Sequence, residues 1–273
     1  MGVAVATNSA IAQNSAVDVR NAHVSIGNKD IGTFKFGRDY GMFGAHAILN
    51  DMTLLGVGAA TQATQNGRVS LGHIGAGYTY LGTYGQMVYT TPTLGGLSVD
   101  FGLMNPVDAT ATEKSGTSAA VQARATYTGQ GFKAWVANKS QKFTAYNMNA
   151  SEVGASVGVG PFGLLANVQS GNGIGILADG DQGDVKGVNT FVQATYKATN
   201  KLKLGVGVGK SKNDKNLLTA TNVQSNQNTS AGAYYNLTPS FTLVGEAGNT
   251  TSKSFGGAEA KQTSYSVGGI FFF

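Results

Sequence analysis

The chain has 273 residues, only 12% of them charged, with a net charge of +5 and a pI of about 9.3. Forty glycines accompany four prolines and no cysteine; this excludes a disulfide framework and a thiolate metal site, and without glycine at every third position it excludes a collagen helix. The basic residues are scattered singly, not gathered into a patch or helix, so the positive surplus does not read as a nucleic-acid interface.

Taken from the start, residues 1–16 lack the positive n-region and the continuous apolar run of a secretory signal. No window anywhere is apolar enough for a transmembrane helix. One strand is expected near residues 3–12. The dominant pattern after that has period two, the mark of strands with one apolar and one polar face. Arg20 shares parity with Ala22, Val24 and Ile26, whereas Lys35 opposes Phe34, Phe36 and Arg38. Leu97, Val99, Phe101 and Leu103 oppose Ser98, Asp100 and Gly102; Val121, Ala123 and Ala125 oppose Gln122 and Arg124. The alternation continues at Val153, Val188, Leu202 and Phe241, and closes with Tyr265, Val267, Phe271 and Phe273. Alternation points Lys35, Arg124, Lys133, Lys201 and Lys203 to the polar side, with Asp100, Glu152 and Glu246 as their acidic counterparts.

The connections alternate in length. Tight-turn residues stand at 28–30, 92–96, 129–131, 160–161, 199–200 and 238–239. Long polar stretches stand at 39–67, 105–117, 140–150, 171–186, 212–228 and 253–260. Short turns at one end and long loops at the other are the habit of a transmembrane antiparallel β-barrel, which pairs every backbone group without an open edge. A C-terminal Phe271-Phe272-Phe273 suits lipid and does not suit water. The expectation is one all-β barrel domain over residues 1–273. Thirteen strands are clear, and fourteen is the consistent even number if the chain is complete; otherwise it is a truncated barrel.

Three stretches carry a resemblance: VRNAHVSIGNKDIGTFKFGRDYGMFGAHAILNDM, GHIGAGYTY, and the aromatic C-terminal strand ending in Phe. They are similar to the Gram-negative general porins, trimeric barrels of sixteen strands. The resemblance implies a water-filled outer-membrane channel for ions and small hydrophilic solutes. It also implies an inward-folded constriction loop, assigned to 39–67, whose Met52, Leu54, Leu55 and Val57 are apolar. On the family pattern Asp51 takes the place of an acidic loop residue, Arg20 and His73 take wall-arginine places, and Leu55 stands where a second loop acid is usual. Fewer residues than usual precede the Arg20 strand, as if two or three strands were missing. Outer-membrane lipid, lipopolysaccharide and two further copies of the chain are the implied partners.

The remaining motifs carry less. GVGVGKS at 205–211 lacks the first glycine of a phosphate loop, with Leu204 in that place, and reads as a strand. ADGDQGD at 178–184 lacks the distal Glu of an EF-hand and reads as a solvated outer loop with an affinity for divalent ions. His23, His46 and His73 lack metal-ligand spacing, and Trp135 reads as part of the wall or an aromatic girdle. No cofactor is called for. An outer-membrane hydrolase or a surface adhesin is the alternative, but no nucleophile, base and orienting group stand together. The basic surplus on the polar face points to a weak anion preference.

Overall fold

The computed structural model describes residues 19–59, 72–109, 113–217 and 223–273. The strand expected near 3–12 lies outside the described residues. Thirteen strands follow one another: β1 (Ala22–Asn28), β2 (Gly32–Tyr40), β3 (Thr83–Thr90), β4 (Leu97–Met104), β5 (Ala120–Gly129), β6 (Phe132–Lys142), β7 (Asn147–Val159), β8 (Phe162–Asn172), β9 (Lys186–Lys197), β10 (Leu202–Asn213), β11 (Val223–Thr238), β12 (Phe241–Ser254) and β13 (Glu259–Phe271). They form one sheet in sequence order, each strand antiparallel to the next. The helix among the described residues, α1 (Ala45–Asn50), sits in the connection between β2 and β3.

That connection shows how the sheet curves. Its residues hydrogen-bond to side chains of β5, β7, β8, β9, β11, β12 and β13. Flat strands about 4.8 Å apart would separate β5 from β13 by roughly 38 Å, too far for one short segment to touch both. The sheet therefore wraps round the connection, and the face it touches is the inner face.

The alternation read from sequence matches the two faces. Phe101, Val136, Val153, Leu164, Val192, Val206 and Val267 stand exposed on the outer face. Gln122, Glu152, Gln169, Gln193, Ser230 and Glu246 are buried on the inner face. A soluble protein rarely leaves so continuous an apolar surface uncovered. Here it is a band built for hydrocarbon.

The short turns fall where expected. The long connections are partly corrected. The β2–β3 connection runs from 41 to 82, beyond the expected limit of 67, and residues 60–71 of it are not described. Two stretches expected as long loops, 140–150 and 253–260, shrink to tight links at 143–146 and 255–258 because the strands on either side run on. β11 has 16 residues; at roughly 3.4 Å each it is about twice the length of a ~25 Å apolar band. Its upper half (Gln224, Ser225, Asn226, Gln227, Asn228) is polar on both faces, so it keeps its ladder in water where no apolar stripe announces a strand.

Candidate functional site

The connection 41–82 is held to the wall by side chains from successive strands. Met42 and Phe43 donate their amides to Gln122 Oε1 at 2.8 and 3.1 Å. Gly44 donates to Glu152 Oε2 at 2.6 Å, Met52 to Gln193 Oε1 at 2.7 Å, and Thr79 to Gln169 Oε1 at 3.0 Å. Val57, Gly58 and Ala59 all donate to Glu246 Oε2, at 3.0, 3.2 and 3.3 Å, while Tyr234 donates its hydroxyl to Oε1 at 2.9 Å. A loop in this position has backbone amides that no ladder satisfies. The Gln and Glu side chains of the inner face satisfy them.

Close approach also needs room, which β10 provides. Its inward positions Gly205, Gly207 and Gly209 lie directly under the loop. A Cβ on Gly209 would stand 1.9 Å from the Ala76 carbonyl oxygen, and one on Gly205 would stand 2.1 Å from Met52 Sδ. GVGVGKS is thus a strand whose missing side chains make space for the loop.

Asp51 and His73 meet within this loop. Asp51 Oδ2 accepts from the His73 amide at 2.8 Å and from the Tyr78 hydroxyl at 2.6 Å, and lies 2.8 Å from His73 Nδ1. Thr53 donates to Oδ1 through its amide at 2.9 Å and its hydroxyl at 2.7 Å. Burial alone would raise the Asp51 pKa. The His73 charge and the hydrogen bonds from His73, Tyr78 and Thr53 outweigh burial and hold it at about 2. His73 is accordingly not on a wall strand, as the resemblance implied, but on the returning arm of the loop. Its ring packs on Phe191 at 4.5 Å and its Nε2 lies 3.3 Å from Ser230 Oγ. Both expected residues are fully enclosed, serving to fold the loop back on itself. Arg20, just before β1, donates to the Tyr80 hydroxyl at 3.5 Å.

The wall charges divide into engaged and unengaged groups. Arg124 donates to Asp100 Oδ2 through Nε at 2.9 Å and Nη2 at 2.7 Å. Lys35 pairs with Asp39, two repeats of the alternation along β2. Glu152 and Glu246 are engaged by loop amides. Lys133 and Lys203 lie half-buried on the inner face, and Lys201 is exposed in the β9–β10 turn. Lys203 rests over the Tyr234 ring, its Nζ 4.8 Å from the centre. His46, on α1, faces the basic group: burial, with the charges of Arg124 and Lys133, lowers its pKa to about 4. Trp135 points inward, 5.0 Å from the His46 ring, and belongs to neither the outer wall nor a girdle.

A second loop, 173–185 between β8 and β9, also turns inward. Leu177 accepts at its carbonyl from the Tyr80 amide at 2.9 Å. Asp179 pairs with the buried Lys139 of β6 and accepts from the Tyr84 hydroxyl of β3 at 3.2 Å. Asp181 accepts from the amides of Ile176 and Leu177, each at 2.8 Å, and of Ala178 at 3.3 Å. Asp179 and Asp181 of ADGDQGD are therefore engaged by the protein, while Asp184 is exposed and accepts from Asn172. Sequence reading marked this second connection but missed its inward turn and the amide-binding Gln and Glu ladder. Inward Gln122, Gln169 and Gln193, each on a period-two polar face, were the available signal.

Below the first loop, at the end of the short turns, opens a cavity of about 1240 Å³, lined by Leu49, Leu55, Lys197, Lys201, Lys203 and Phe272 among others.

Known proteins agree with this architecture. The channel protein DcaP of Acinetobacter baumannii superposes with a TM-score of 0.69 at 16% identity, over 92% of this chain and 74% of that one. The anion-selective porin of Comamonas acidovorans gives 0.67 at 17%, over 93% and 78%. OmpF of Salmonella typhi in complex with daunomycin gives 0.63 at 15%, over 93% and 78%. Identities this low speak for the fold alone. No curated protein sequence matches. The family match reaches further, covering residues 2–254 with the Gram-negative porins. With the apolar outer face, the polar inner face and the inward loop beside that match, the chain belongs to the Gram-negative porin family, whose members are outer-membrane channels for small solutes.

Proposed function

We propose that this porin is a passive channel, without catalytic chemistry, that favours anions, with its cross-section set by the loop segments 41–59 and 72–82 and narrowed again by 173–185. One observation carries the anion preference. The inner-face acids Asp100, Glu152 and Glu246 and the loop acid Asp51 are each engaged by a cation or by backbone amides. Lys133, Lys197, Lys201 and Lys203, by contrast, have no carboxylate within ion-pair distance among the described residues. Unbalanced positive charge in a confined aqueous passage concentrates anions. Family membership supports a trimer set in outer-membrane lipid and lipopolysaccharide. The test is purified chain in a planar bilayer under a KCl gradient. Stepwise conductance with a reversal potential of the sign of chloride permeation is expected; a potassium-selective potential would reverse the preference, and no conductance would reject the channel.

A further inference from the structure

We propose that the cavity at the short-turn end binds one small organic carboxylate with an apolar body. The proposal rests on the anion-favouring reading of the passage and adds a ligand class and an address. Its polar half is a pair of like charges: Lys203 of β10 stands directly opposite Lys197 of β9 in the antiparallel register. Directly opposed like charges destabilise a sheet. Among the described residues Lys29, Lys35, Lys114, Lys139, Lys253 and Lys261 each pair with an acid. Lys197 and Lys203 line an open cavity and pair with none; the carboxylate among its lining residues, Asp51, is enclosed and already engaged by His73, Tyr78 and Thr53, and Lys201 stands at the rim of the same space. An anion from solution is the missing counter-charge.

The apolar half lies on the loop. Leu49 and Leu55 are 69% and 58% exposed, both into this cavity, and Phe272 lines it from the wall. Exposed leucines serve no purpose for hydrated chloride. Inorganic anions would use only the lysines, and neutral apolar solutes only the leucines. A carboxylate carried on a hydrocarbon or aromatic body uses both, and about 1240 Å³ exceeds the ~300 Å³ lower bound for small-molecule sites, leaving room for retained water.

The test is calorimetric titration of the folded chain in detergent with benzoate, inorganic phosphate and benzyl alcohol, with the conductance of the same preparation recorded in a planar bilayer. Saturable one-to-one benzoate binding is expected, with phosphate and benzyl alcohol each weaker by about tenfold or more. Lys197→Gln with Lys203→Gln should weaken benzoate by about tenfold or more. Leu49→Ser with Leu55→Ser should weaken benzoate and leave phosphate unchanged, and because these side chains are exposed the variants keep the fold. Absence of saturable benzoate binding by a conducting protein overturns the proposal. So does phosphate binding as tightly as benzoate, or a double lysine variant that binds like the parent. Binding by a chain that conducts no current would uphold the site and reject the channel.

Discussion

Asp51 is the residue on which the constriction loop turns. Five donors or ring contacts converge on one carboxylate, from residues 53, 73 and 78. Because its pKa is lowered from 3.8 to about 2, its contribution is fully present above the unfolded value and is lost as pH falls through the folded one. The shift corresponds to about 2 kcal/mol. Hydrogen exchange of the Thr53 and His73 amides should therefore stay slow from pH 7 to about 4 and accelerate below that; acceleration already at pH 5 would show that another group governs the loop. The resemblance to the porins singled out Asp51 as an acidic loop residue. That His73 is its partner did not show, because the two are 22 positions apart and the stretch that joins them has no periodicity that would bring them together.

Among the elements, the two inward loops depend on each other. The β8–β9 loop is rooted at strands 8 and 9 but tied to strand 6 through Lys139–Asp179 and to strand 3 through Tyr84. Lys139 is 2% exposed and also lies over the Phe43 ring at 4.3 Å. Removing one partner of a buried pair leaves an uncompensated charge, at a cost of about 3–5 kcal/mol. Lys139→Ala should therefore free 173–185, seen as protease cleavage there and as higher single-channel conductance. Unchanged conductance with a cleaved loop would mean that this loop does not narrow the passage. The sequence marked both segments as long connections, yet nothing in their composition separated an inward loop from an outward one. Direction is set by the partners, Gln122, Glu152, Gln169, Gln193 and Glu246, which lie 79 to 189 positions away from the loop atoms they hold in the first loop.

For the whole molecule, stability in the membrane rests on the outer face. Val192 stands 56% exposed in the middle of β9, between Ala166 of β8 and Val208 of β10. Val192→Arg should cost about 2–4 kcal/mol at mid-bilayer depth, read as a lowered midpoint for urea-induced unfolding from phospholipid vesicles; a variant as stable as the parent would place this band outside the hydrocarbon. The sequence alone determined the membrane-facing stretches of the strands, their faces and the short turns, because period-two burial is a local property that each strand records in its own residues, and its quoted motifs carried the family. Only the tertiary structure decided which loops enter the interior, that His73 belongs to a loop, and which charges remain unpaired. Those outcomes depend on meetings across the width of a curved sheet, and no single strand carries a trace of what faces it from the other side.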